Sequence, residues 1–155
     1  MARPVMLLAL VCTGLFAGFC FCYAFAVVRA LARLDDRAYV VAMRHLNEAV
    51  PSPPFLVVLA GTALLPWAVL AGGFGDGGSR TWLLGAAALC AAGAIAVTLL
   101  GNVPMNARLA AGNPVTEADW HALRQGFEAR WNALHAARTA LAAAAFGLLA
   151  AGGLK

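Results

Sequence analysis

Apolar and polar positions fall along this chain in long blocks. Four apolar runs stand out: about Pro4 to Val28, Pro54 to Phe74, Trp82 to Leu100 and Leu134 to Leu154. Each is close to the ~20 residues that a helix needs to cross a hydrocarbon layer of ~30 Å. Gly75-Asp76-Gly77-Gly78-Ser79 separates the second run from the third and predicts a tight antiparallel pair. The stretch between the first two runs has helical periodicity instead. From Leu34 to Val50, Tyr39, Val40, Met43, Leu46 and Val50 share one side, and Arg33, Arg37, Arg44 and Glu48 share the other. That pattern predicts an amphipathic helix, ended by Pro51, Pro53 and Pro54, with His45 and Asn47 near its end.

The second polar stretch, Gly101 to Thr139, is richer. Asn102-Val103-Pro104-Met105-Asn106 predicts a break in the third helix just after Gly101, since proline removes a donor and Asn side chains can satisfy freed backbone groups. Thr116 followed by Asp119 reads as a capping pattern, so the fourth helix starts near Glu117. Its overhang of about 17 residues before the apolar part is roughly 25 Å long. Along it His121, Arg124, Glu128, Trp131, His135 and Arg138 recur at steps of three and four, which places all six on one face. The predicted fold is all-α: an integral membrane four-helix antiparallel bundle with an amphipathic helix in the first loop and an extended fourth helix. One domain covers residues 1–155, with helices at about 4–28, 54–74, 82–100 and 117–154.

Composition agrees with a membrane setting. Charged residues make up 12% of the chain, against roughly 25% in soluble proteins, and the mean hydropathy is +0.80. The formal net charge is +4. The arginines lie in membrane-flanking loops without interleaved aromatics, so they read as topology and lipid contact, and nucleic acid is not an expected partner. Arg29, Arg33, Arg37 and Arg44 fall in the first loop, and Arg108, Arg124 and Arg130 in the third. Only Arg3, Arg80 and Lys155 fall on the opposite side. The positive-inside rule then puts both long loops in the cytoplasm and both termini outside, in a multi-pass protein of a bacterial inner membrane or its equivalent. Ala24-Phe25-Ala26 mimics a signal-peptide cleavage site, but the run before it exceeds an h-region of 7–15 residues, which predicts a retained first helix.

The cysteines, Cys12, Cys20, Cys22 and Cys90, all lie in apolar runs with no CxxC spacing and read as packing residues. Gly14 and Gly18 form a GxxxG step that would let a neighbouring helix approach. The polar stripe is harder to explain as a solvated face. An Arg124–Glu128 pair would satisfy the overhang, but Trp131, His135 and Arg138 approach hydrocarbon depth, where ionisable groups are expensive. They are expected to face protein, with Glu128 and the loop Asn residues as partners for Arg138. The candidate site gathers His135, Arg138, Trp131, Asn102, Asn106 and Asn47 at the membrane boundary, with His45 within range.

Three pieces resemble the anthrone oxygenase-like family of small four-helix membrane proteins. They are Gly14-Leu15-Phe16-Ala17-Gly18-Phe19 with Ala42-Met43-Arg44-His45-Leu46-Asn47 downstream, Asn102-Val103-Pro104-Met105-Asn106 with Leu109, and Trp131 with His135, Arg138 and Thr139. Leu134 stands where many relatives carry a second Trp. The resemblance implies oxidation of an anthrone to an anthraquinone by O2 as co-substrate, with no established flavin or haem. His135 would then be the base, Arg138, Asn102 and Asn106 the holders of an enolate oxygen, and Trp131 a stacking surface; Asn47 joins the substrate-binding set. Three function classes stay open: oxidation of a flat phenolic or quinol-like substrate, haem or metal chemistry with His45 and His135 as ligands, and a non-catalytic membrane subunit. Lipid and a small hydrophobic aromatic molecule are the expected partners, and a homo-oligomer is left open.

Overall fold

The computed structural model describes residues 2–73 and 78–154. All regular elements among these residues are helices. Five continuous helical rods follow one another: α1, Arg3–Leu31; α2, Asp36–Ala49; α3, Pro53–Ala71; α4, Ser79–Ala111; and α5, Glu117–Gly153. All but α2 are long and apolar enough to cross a membrane. The expected Gly-rich turn falls largely outside the described residues, as does Phe74, the expected end of the second apolar helix. On the near side of that turn, α3 ends at Gly72 and Gly73, the latter at φ 74°, a left-handed conformation that glycine enters without a Cβ penalty.

The packing is that of a membrane bundle. Leu7, Leu8, Val11, Leu15, Leu64 and Leu89 are all more than half exposed, although none is near a polar loop. Such a surface is stable only against lipid. The interior relies on small residues: Ala87, Ala88, Ala91 and Ala94 of α4 are fully buried against α5, whose Ala142 and Ala145 face inward. Small side chains let two backbones approach closely where no hydrophobic effect drives association. Thr13, Thr62 and Thr98 are buried too, and each returns its hydroxyl to a carbonyl one turn back in its own helix.

Glycine contacts revise the expected GxxxG step. A Cβ on Gly14 would meet Phe146 at 3.1 Å, but one on Gly18 would meet nothing within 4 Å. The closer crossing is at Gly61 of α3, where a Cβ would collide with Cys12 of α1.

The third helix also departs from expectation. It does not break at Asn102: α4 runs through to Ala111, with a π-helical turn over Val97–Asn102. The Val103 amide reaches back to the carbonyl of Thr98, five residues away. The wide turn sits directly before Pro104, which has no N–H to offer a regular α-helical bond. A second π turn, Tyr23–Val27, lies within α1, which extends past the expected Val28 to Leu31.

At the polar end, α2 packs on the overhang of α5 and on the end of α4. Tyr39, Val40 and Met43 of α2 are buried with Leu109 and Phe127, as the amphipathic pattern requires. Burial and the neighbouring Glu128 push the Tyr39 phenol above its ordinary pKa. Asp35 caps α2 by accepting from the Ala38 amide at 2.8 Å. Thr116 and Asp119 close the expected capping box on α5. Arg44 donates to the carbonyls of Leu109, at 2.8 and 3.0 Å, and Gly112, at 2.8 Å, so it satisfies the end of α4. Arg124 donates to Glu128 at 2.6 Å, to the Leu34 carbonyl at 2.8 Å and to Asp36 at 3.2 Å, and lies over the Tyr39 ring. Asp36 also bonds His121 at 2.8 Å; these two partners, His121 first, hold its carboxyl below the usual carboxylate range. Arg44 and Arg124 are thus joints between elements as well as loop charges.

Candidate functional site at the polar end of the bundle

The stripe on α5 faces protein from Arg124 inward, while His121 at its outer end is exposed and reaches Asp36. Its outer members, His121, Arg124 and Glu128, complete the joint with α2. Its inner members build a cavity of about 230 Å³ where α1, α3, α4 and α5 meet the end of α2. Asn47, Asn102, Asn106, Trp131 and Arg138 all line it, so five of the six expected site residues share one space. Phe19, the last residue of the Gly14–Phe19 motif, adds a wall, as do Tyr23, Phe55 and Thr98, which the sequence did not single out. Tyr23 and Thr98 belong to the two π turns, whose widened backbone has no signature in periodicity.

Trp131 is the central wall. Its indole N–H donates to Asn106 Oδ1 at 2.7 Å, and its ring stacks on His135 at 5.0 Å and 14°. Tyr23 leans on both rings, 5.8 Å from Trp131 and 5.5 Å from His135. His135 stands behind the cavity, 1% exposed, and is not part of the lining. Arg138 Nε donates to His135 Nδ1 at 2.7 Å, so that nitrogen is an acceptor. The proton then sits on Nε2, which donates to the Cys20 carbonyl at 3.1 Å. Both ring nitrogens are therefore engaged, and His45, the other expected ligand, is exposed on α2. Among the described residues no group of three or more His, Cys, Asp or Glu is arranged to hold a metal ion.

Arg138 is 7% exposed and lies 5.4 Å from the centre of the Trp131 ring. The expected carboxylate partner is not supplied: Glu128 is bonded to Arg124. His135 is the one hydrogen-bond partner of Arg138 among the described residues, and it bonds Nε alone. The guanidinium therefore lines the cavity with its terminal N–H groups unpaired by protein. Asn102, fully buried, gives its amide N–H to the Trp131 carbonyl at 3.2 Å and leaves Oδ1 without a partner. A carbonyl can only accept, which fixes the orientation of this amide. Asn47 Nδ2 is a buried donor that also lacks a partner. The lining residues Arg138, Asn47 and Asn102 thus bring unsatisfied donors and one unsatisfied acceptor to the wall of the cavity, chemistry suited to a ring bearing a carbonyl or oxyanion and a hydroxyl.

A larger cleft of about 800 Å³ lies at the opposite end of the bundle, beside Arg3, Met6, Gly73 and Arg80. It holds none of the stripe residues.

Fold and site together define a multi-pass helical membrane protein with a polar, aromatic-walled pocket at one end of its bundle. The chain belongs to the anthrone oxygenase family, whose model matches residues 42–148. That match contains all six expected site residues, while the Gly14–Phe19 motif precedes it. No curated protein and no solved structure matches the chain.

Proposed function

We propose that the cavity binds a flat phenolic, keto or quinol-type ring and that the protein oxidises it with O2. The observation that carries this reading is Arg138: a buried guanidinium without a carboxylate, aimed into an aromatic-walled cavity. A cation in that position stabilises negative charge that develops on a ring oxygen. The family description, anthrone oxygenase, names a substrate of this chemistry.

For an anthrone the steps balance as follows. The methylene loses a proton to water, and the enolate oxygen is held by Arg138 and the Asn47 amide. One electron passes from the enolate to O2, and the resulting superoxide and carbon radical join in a C–O bond. The peroxide takes up a proton, then its O–O bond breaks as the remaining hydrogen leaves that carbon. One O2 is consumed, one oxygen atom stays as the new carbonyl and the other leaves as water. A hydroquinone held by the same groups would give quinone and hydrogen peroxide.

In this reading Arg138 is catalytic. His135 is a positioning residue that fixes the guanidinium through Nδ1, because both of its ring nitrogens are engaged. Asn102 Oδ1 would accept from a ring hydroxyl, and Trp131 would supply the stacking face.

Oxygen uptake and quinone absorbance with detergent-purified protein and anthrone test the proposal. Arg138→Leu is expected to lower kcat/KM by roughly 10²–10³, the usual effect of removing an oxyanion donor. His135→Asn, which keeps an acceptor near Nδ1, should retain more activity than His135→Leu, with the difference in kcat. The absence of both ring binding and oxygen uptake above the buffer rate would overturn the reading. A Soret band or stoichiometric metal in the active protein would instead favour haem or metal chemistry.

A further inference from the structure

Resting on that reading of the site, we infer that the substrate is a membrane-soluble ring carrying an apolar chain, and that the chain lies between α3 and α4 toward lipid. The polarity of the cavity carries the inference. Its buried lining carries Asn102, at 0% exposure, and Arg138, at 7%, beside the aromatic Tyr23 and Trp131. Its exposed wall is apolar: Leu56 of α3 is 48% exposed, and Leu99 and Val103 of α4 are 50% and 47% exposed.

A pocket loaded from water normally presents polar groups at its rim. Here the exposed wall residues are apolar: Leu56, Leu99 and Val103 on helices apolar enough to cross a membrane, and Pro51 in the linker before α3. An apolar wall of this kind is matched by a hydrocarbon chain and by the lipid around it.

Volume points the same way. About 230 Å³ is small beside the roughly 300–1,000 Å³ of pockets that enclose a whole drug-sized ligand. The space holds a flat ring system with its oxygens, which leaves any long chain outside. Leu56, Leu99 and Val103 would line the path of that chain.

The test uses the full chain in phosphatidylcholine vesicles and a hydroquinone bearing a ten-carbon chain with a photoactivatable diazirine midway along it. Irradiation followed by peptide mapping is expected to place the label on segments containing Leu56, Leu99 or Val103. Excess unlabelled decyl-hydroquinone should remove that label, and Arg138→Leu should weaken it. Leu56→Trp with Val103→Trp, both at lipid-exposed positions that accept bulk, should cut site-specific labelling by at least about tenfold, because an indole would occupy the chain's path.

Labelling spread over all lipid-facing helices while unsubstituted hydroquinone still binds would overturn this inference alone. Labelling on α2 or the 112–116 loop with such binding intact would do the same. If neither hydroquinone nor its decyl derivative binds at all, the reading of the site itself fails.

Discussion

Trp131 uses both of its chemistries at once. Its ring face packs on His135, and its N–H meets Asn106 across the cavity wall. Trp131→Phe keeps the stacking and removes the donor, leaving Asn106 Oδ1 without its partner. The bond is only partly buried, so the loss belongs at the low end of the range for an orphaned acceptor, about 1 kcal/mol. Thermal unfolding in detergent should show a midpoint lower by a few degrees. An unchanged midpoint would mean that this hydrogen bond is not made in the folded protein. Arg138 differs in kind: its unpaired donors have a cost in the empty protein that only a bound oxygen offsets. Ligand binding should therefore stabilise the wild type more than Arg138→Leu.

At the scale of elements, two π turns contribute to the cavity wall. Each widened turn accommodates one extra residue in an α-helix and changes the direction of the side chains within it. The turn at 97–102 brings Thr98 and Asn102 inward together, and both are buried. Deleting Leu100, which is 81% exposed and makes no core contact, should convert that turn to regular helix. The helix before and after the turn keeps its relative rotation, because the deletion removes the one extra residue, and Thr98 and Asn102 become neighbours three apart on one face. The expected result is membrane-inserted protein that keeps Asn102 and Asn106 on the cavity side and still binds the ring. Binding lost in the deletion variant would show that the widened backbone itself shapes the site. The rod itself tolerates the change, because 33 residues exceed the ~20 that a span needs.

For the whole molecule, the relevant asymmetry is between its two ends. α2, the end of α4 and the overhang of α5 gather at one end and are tied by Arg44, Arg124 and Asp36. The proposed orientation puts that end in the cytoplasm and both termini outside, from the arginine distribution. Ser79→Cys and Glu117→Cys, each made without the native cysteines, test it with a membrane-impermeant thiol reagent on intact cells. Position 79 should react from outside and position 117 only after permeabilisation. Both reacting from the same side would contradict a four-span topology, and the reverse pattern would invert the orientation. Such an arrangement would place the cavity at the cytoplasmic boundary, within reach of substrates made on that side.

Patterns that depend on local periodicity were legible in the sequence. Four apolar runs, the amphipathic α2, the Thr116 cap and the one-sided stripe of α5 follow from steps of three and four and from span length. The gathering of Asn47, Asn102, Asn106, Trp131 and Arg138 could also be anticipated, because lipid cannot satisfy such groups and they must meet one another. Three features were decided only by tertiary structure. α4 continues through Pro104, since a π turn in a packed rod absorbs the missing donor. Arg124, besides its i,i+4 partner Glu128, reaches Asp36 and the Leu34 carbonyl, since α2 packs on the overhang of α5. Among the described glycines the tightest contact is at Gly61, not at the GxxxG step, since which glycine meets a neighbour depends on how α1 and α3 are rotated. The last two are choices among partners that are distant in sequence, where periodicity carries no information.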